Sequence, residues 1–285
     1  MIARRVAVVV VMVACGGGSQ IPRDGAPDDT ALDDGNLDGS PLGSRCTTTG
    51  SMMTCTNHAV QIGGRTVTYE VPLGTQPAAG WPSVIYYQGS FVAGSQAFSA
   101  AMTDAFGQYE LTLTVKALLD RGYAVIAPDA LDEAFWETNV LPFSTDWTGC
   151  ADDVFVEHLL GATIDGTFGA LDPARRYAMG ISSGGFMTSR MAVSYAGTFR
   201  ALAIASGSYA TCSVTCDVPD LPVDHPPTLF LHGAVDTVVP PSIMTVYRDK
   251  LVANGHVVDT ILDPDAGHEW LPEGKTAIPD WFDTH

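Results

Sequence analysis

Positive charge is scarce in this chain. Only 14 Lys and Arg stand against 32 Asp and Glu over 285 residues, a formal net charge of −18. Nucleic acids and anionic lipid surfaces are bound by clustered basic side chains, so composition excludes both as direct partners. Zinc-type spacings are also missing, since the sequence has neither a Cys-x-x-Cys pair nor a histidine cluster, and no metal is expected. No internal repeat is visible. The apolar run Val6 to Val13 is too short to cross a bilayer. Cysteines are few, and beyond Cys15 their number is odd: 46, 55, 150, 212 and 216. At least one thiol therefore stays unpaired within the chain. Cys46 and Cys55 flank a short Thr/Ser/Met loop and form a candidate pair. Cys212 could bond Cys216, or one of the two could bond Cys150.

What is present begins with an export signal. Arg4-Arg5 ahead of Val6 to Val13 gives a basic and then a short apolar region. Met12-Val13-Ala14-Cys15 resembles a bacterial lipoprotein cleavage box, with Cys15 as the lipidated first residue. Gly16 to Ser44 is built of Gly, Ser, Pro and Asp, lacks aromatic residues, and carries aspartates at 24, 28, 29, 33, 34 and 38. Such a segment has too little apolar surface to offset the entropy of ordering it. A calcium loop is the sharper alternative, but the Asp-x-Asp-x-Asp-Gly run and closing Glu are absent. The expected division is a signal peptide over 1–15, an acidic linker over 16–45 and a catalytic domain over 46–285. The protein should leave the cytoplasm, anchored to the cell envelope by lipid on Cys15 or secreted, and meet a membrane only through that lipid.

The catalytic expectation rests on three segments. Gly180-Ile181-Ser182-Ser183-Gly184 stands between a strand, Arg176 to Met179, and a helix, Phe186 to Ala196. Strand, Gly-x-Ser-x-Gly and helix expose a serine on a sharp turn, and the glycines leave room for the crossing. Strand 228–231 leads to His232-Gly233-Ala234-Val235-Asp236, which places a carboxylate on the following loop. Strand 257–262 leads to Asp265-Ala266-Gly267-His268, which places an imidazole on the next. The order Ser…Asp…His at the carboxyl ends of strands is that of the α/β-hydrolases. Ser182 is then the nucleophile, His268 its general base and Asp236 the residue that orients the base. Asp263 and Asp265 are rival acids, and His232 is expected to brace the Asp236 loop.

The wider pattern agrees. A hairpin over 59–71, strands at 83–87, 124–127 and 201–205, and helices at 113–121, 152–160 and 242–253 alternate as βα units. That alternation implies an α/β fold, a mostly parallel sheet with helices on both faces, binding ligand beyond the strand ends. The oxyanion hole should use the N–H of Ser183 and that of Ser90, with Phe91 as the rival for the second. Two long loops, 91–109 and 130–149, carry aromatic residues and should stand over the site. Phe91, Trp136, Trp147 and Trp270 are the expected substrate-binding side chains.

Arg176 to Met187, the His-Gly-x-x-Asp-x-x-Val-Pro segment from His232 and Gly267-His268-Glu269-Trp270 resemble the polyhydroxybutyrate depolymerase and feruloyl esterase family. So do Asp152 to Val156 and Leu171 to Arg175. The resemblance spans roughly residues 60 to 285. It implies hydrolysis of carboxylic esters without any cofactor; a small or oligomeric ester is the expected partner and a monomer the expected state. Such enzymes usually carry His-Gly after the third strand, where this chain has Gln88-Gly89. A β-diketone hydrolase acting on oxidised polyvinyl alcohol is the alternative chemistry. A non-catalytic surface lipoprotein is the alternative of another class.

Overall fold

The computed structural model describes residues 41–285. The expected signal peptide, Cys15 and the linker as far as residue 40 lie outside the described residues. Two short strands open the domain, β1 (Cys46–Thr49) and β2 (Met52–Cys55), joined by the Cys46–Cys55 disulfide. A hairpin follows, β3 (His58–Ile62) and β4 (Arg65–Glu70), turning at Gly63 and Gly64, both at positive φ. Then come β5 (Trp81–Tyr87), β6 (Ser99–Ala101), α1 (Gln108–Asp120), β7 (Ala124–Pro128) and α2 (Ala151–Ala162). The chain ends with β8 (Leu171–Ile181), α3 (Ser183–Ser194), β9 (Leu202–Ala205), β10 (Thr228–Gly233), α4 (Pro241–Ala253), β11 (Val258–Asp263) and α5 (Gly274–Thr284).

Eight strands form one sheet in the order β11-β10-β9-β8-β5-β7-β4-β3. All pairs from β11 to β7 are parallel, and β4 and β3 close the far edge antiparallel. This is the mostly parallel α/β sheet that the alternation implies. β5 lies at its centre and is buried along its whole length. Its side chains alternate between faces. Val84 and Tyr86 pack with Leu111, Val115 and Leu118 of α1 and with Ile278 and Phe282 of α5. Ile85 and Tyr87 pack with Phe155 and Leu159 of α2 and Met187 and Met191 of α3. A third cluster seats Met244, Tyr247 and Leu251 of α4 on Phe230 of β10.

Three points add to the sequence reading. The domain begins before residue 46: Gly43 bridges Leu73, Ser44 Oγ donates to Asp120 Oδ1 (2.6 Å) and Arg45 pairs with Glu70 (2.6 Å). Leu42 fills the space beside Gly74, where an added Cβ would lie 3.3 Å from it. A second sheet, β1-β2-β6, was not expected. Of the alternatives left open for the cysteines, Cys46–Cys55 and Cys212–Cys216 form, and Cys150 is buried and unpaired among the described residues.

Candidate active site

Ser182 stands between the last residue of β8 and the first of α3, with φ 56° and ψ −122°. A serine pays strain for that conformation, and strain of this kind gathers at functional turns. The crossing is tight for a stated reason. A Cβ on Gly180 would fall 2.3 Å from Gly184 O, and one on Gly184 would fall 1.9 Å from Tyr87 O. No side chain fits at either position. β5, β8 and α3 therefore approach more closely than any other residue would allow.

Asp236 lies past the end of β10 and is 3% exposed. Its Oδ1 accepts the N–H of Val238 (2.8 Å) and of Val239 (2.9 Å), and its Oδ2 accepts Nδ1–H of His268 at 2.8 Å. Gly233 brings the two loops together, since a Cβ there would lie 2.2 Å from Ala266 O. Asp263 is otherwise engaged: its Oδ1 accepts the N–H of Asp265 (2.8 Å) and of Ala266 (3.1 Å) and so shapes the histidine loop. His232 is buried and donates Nε2–H to Val239 O at 2.8 Å, bracing the Asp236 loop. Burial pushes its pKa below the usual histidine value. With Nδ1 of His268 held by a carboxylate, Nε2 is left as the proton acceptor. The Ser182 hydroxyl makes no hydrogen bond among the described residues. It shares with His268 the wall of one cavity of about 340 Å³. Ligand-free sites often hold nucleophile and base loosely in this way.

The same cavity is bordered by Gly89, Ser90, Phe91, Val92, Phe106, Gln108, Ile181 and Val238. Phe91 is 80% exposed and Phe106 57% exposed, and both hold positive φ, 62° and 59°. The Phe106 ring stands 6.3 Å from the His268 ring, and Phe135 stands 6.3 Å from Phe91. Of the expected second oxyanion donors, Phe91 is engaged, its N–H bonded to Ala134 O at 2.6 Å. The Ser90 N–H makes no hydrogen bond among the described residues. Ser183 opens α3, where N–H groups point at the turn.

The three tryptophans expected to bind substrate do not line this cavity, and that reading is corrected. Trp136 is fully buried against Tyr87 and Phe155. Trp147 is 6% exposed, stacked under the Arg190 guanidinium at 5.0 Å, and borders a different, acidic depression. Trp270 is 1% exposed, set edge-on to Tyr86, with Nε1–H bonded to Thr114 Oγ1 at 3.0 Å. Large rings with one donor are as well suited to a core that can satisfy the donor as to a cleft. Sequence singled out Phe98, Phe106 and Tyr109 of the 91–109 loop as walls of a cleft, and of these Phe106 lines the cavity; Val238 was not foreseen. Val238 follows Asp236 by two residues, so its place near the acid was the available signal. Among the described residues no group of three His, Cys, Asp or Glu is placed to hold a metal ion.

No family model matches the sequence. Over 226 residues the chain is 49% identical to a poly(3-hydroxyoctanoate) depolymerase from Pseudomonas fluorescens, covering 79% of this chain and 81% of that protein. Similar solved structures include an acetyl xylan esterase from Aspergillus awamori, with TM-score 0.57 and 18% identity over 81% of this chain and 100% of that one. Another is an S-formylglutathione hydrolase from Staphylococcus aureus, with TM-score 0.55 and 13% identity over 86% and 97%. At such identities these two speak for the fold alone.

Proposed function

This chain belongs to the polyhydroxyalkanoate depolymerase family of α/β-hydrolases and is a carboxylic ester hydrolase, and from that premise we propose that it is an exported esterase cleaving 3-hydroxyalkanoate polyesters or their oligomers through an acyl-enzyme on Ser182. The observation that carries the mechanism is the Asp236–His268 hydrogen bond at the edge of the cavity that Ser182 also borders. His268 Nε2 takes the Ser182 proton as Oγ attacks the ester carbonyl. The N–H groups of Ser183 and Ser90 receive the oxyanion of the tetrahedral intermediate. Collapse breaks the C–O bond, and His268 returns the proton to the departing alcohol. Water then enters, gives its proton to His268 and releases the acid by the same steps in reverse.

Support for an apolar acyl group comes from the walls. Of the ten lining residues, His268 alone can ionise, and Phe91, Val92, Phe106, Ile181 and Val238 supply hydrocarbon. Such a cavity favours ester units bearing alkyl side chains of several carbons. Support for export comes from two disulfides, which persist in oxidising compartments, and from the Arg4-Arg5, Val6 to Val13 and Cys15 signal. Lipid on Cys15 would tether the domain to the envelope. Cys15→Ser should then shift activity from the membrane to the soluble fraction, and an unmutated protein found soluble without lipid mass on residue 15 excludes the anchor.

The mechanism is tested on p-nitrophenyl esters, hydroxyalkanoate oligomers and a β-diketone. Ester turnover should fall by about 10⁶ in Ser182→Ala and in His268→Ala, with the double variant hardly worse, and Asp236→Asn should be milder. The non-additivity follows because the three groups act as one proton-transfer unit. A Ser182→Ala variant keeping a tenth of the ester activity would refute the assignment. Hydrolysis of the diketone in preference to every ester would move the chemistry to C–C cleavage.

A further inference from the structure

We infer that Trp136 is a positioning residue which sets both amide donors of the oxyanion hole at once, an inference that rests on the serine-esterase reading above. The residue sits in the 130–149 segment between β7 and α2, and its two nitrogens reach two different walls of the site. Its indole Nε1–H donates to the backbone carbonyl of Gln88 at 3.0 Å, just past the end of β5. Its main-chain N–H donates to Ser183 Oγ at 3.0 Å, and that hydroxyl donates in turn to Asn139 Oδ1 at 3.1 Å. Two positions earlier, Ala134 O accepts the Phe91 N–H at 2.6 Å.

The Ser90 N–H belongs to the peptide unit between Gly89 and Ser90. The unit before it carries the Gln88 carbonyl, held by Trp136. The unit after it carries the Phe91 N–H, held by Ala134. Each peptide is a rigid plane, so fixing the planes on both sides leaves the middle one little freedom to turn. Gly89 has no Cβ to limit φ and ψ by itself, which makes an outside brace necessary. The Gln88 side chain does not supply it: both its amide atoms are buried without a hydrogen-bond partner among the described residues. The brace also fixes the second donor, because the residue that holds Gln88 holds the side chain of Ser183. Oxyanion donors act by being aimed before the reaction, so a donor that can rotate loses much of its effect.

Trp136 itself is held from behind. It lies edge-on to Tyr87 with ring centres 5.2 Å apart and is stacked near Phe155 at 6.5 Å. Arg65, paired with Asp152 at 2.5 Å, stands 5.9 Å from its ring. Asp152 Oδ2 accepts the N–H of Glu137, the next residue in the chain. A ring fixed on so many sides is suited to holding a carbonyl in one orientation.

Trp136→Phe keeps a buried ring and the main-chain N–H but removes the indole donor. It should lower kcat for a soluble ester by about tenfold to a hundredfold, short of the full loss of a donor, with KM changed by less than twofold. Inhibition by an alkyl boronic acid, which becomes tetrahedral on the serine, should weaken by the same factor as kcat. Trp81→Phe serves as the control, being a buried tryptophan at the opposite end of β5. It should cost melting temperature while leaving kcat and boronate affinity unchanged. Equal kcat losses in the two variants, or a Trp136→Phe enzyme with unaltered boronate affinity, would overturn the inference. Labelling with an alkyl fluorophosphonate separates this from failure of the parent reading. If the wild-type protein takes no label on Ser182, the serine mechanism falls, and the positioning role falls with it.

Discussion

At the residue scale, the site separates what sequence can specify from what it cannot. Ser182, Asp236 and His268 were legible because each stands where a strand ends, and backbone geometry there is dictated by glycines whose role is steric. Gly180, Gly184 and Gly233 are the clearest cases, with backbone oxygens 2.3, 1.9 and 2.2 Å from any Cβ placed there. The substrate wall was legible only in part: Phe91 lines the cavity as expected, but Trp136, Trp147 and Trp270 do not. An exposed Phe91 and a buried Trp136 look alike in sequence, since both are large rings in long loops. What divides them is the fate of one N–H: Trp136 finds Gln88 O to donate to and can enter the core, whereas a phenyl ring has no such requirement. Phe91 and Phe106, exposed and held at positive φ, should therefore act on the substrate and not on the fold. Phe91→Ala and Phe106→Ala are expected to lower kcat/KM for an octanoate ester about tenfold more than for an acetate ester, from ~1–2 kcal/mol of lost apolar contact. Melting temperatures should stay within a degree or two of wild type. Equal losses on both esters would assign these rings to catalysis or folding instead.

At the scale of elements, the parallel strands and the helices α1 to α4 were recognisable from apolar period and from Gly stops. What was missed has physical causes. α5 carries Pro279 within it, which breaks the pattern of a helix while its Ile278 and Phe282 still reach the core. β1 is a Thr-rich strand with one half-buried residue, so it has no apolar face to betray it, and β6, at the other edge of that sheet, is three residues long. The loops 91–109 and 130–149 were recognised as long but not as rigid. Side-chain anchors make the second rigid: Arg190 donates to Ser144 O at 2.6 Å and to Thr138 Oγ1 at 3.2 Å, and Arg65 holds Asp152 at its far end. Contacts that join residues 46 to 87 positions apart leave no trace in local composition. The segment is thus held in place behind the active-site wall, as the two bonds of Trp136 require.

At the scale of the whole molecule, stability should depend on pH through a buried histidine far from the chemistry. His225 donates Nδ1–H to Pro226 O at 2.8 Å, which leaves Nε2 to accept Tyr247 O–H at 2.7 Å. Its neighbours in charge are His256, whose ring lies 5.2 Å away, and Asp224. Burial dominates and lowers its pKa to about 4 from an ordinary 6.5. Below pH ~6.5 the unfolded chain binds a proton that the folded chain refuses, so this contribution is complete above that value and is lost as pH falls towards 4. The loss amounts to ~3 kcal/mol at most. Urea unfolding of wild type and His225→Gln between pH 7.5 and 4.5 should show a flatter dependence in the variant, by up to one proton. Parallel curves would show that other groups carry the acid sensitivity.

The placement of the first described residues has a mechanical side. The chain enters the domain through Gly43 against Leu73, Ser44 on Asp120 and Arg45 on Glu70, and then the Cys46–Cys55 bond. A pull applied at residue 41 would load β4, the end of α1 and the small β1-β2-β6 sheet first. Ser182, Asp236 and His268 follow β8, β10 and β11, on the other side of β5 in the strand order. A load entering at residue 41 would thus fall on one half of the sheet, while Ser182, Asp236 and His268 stand in the other half.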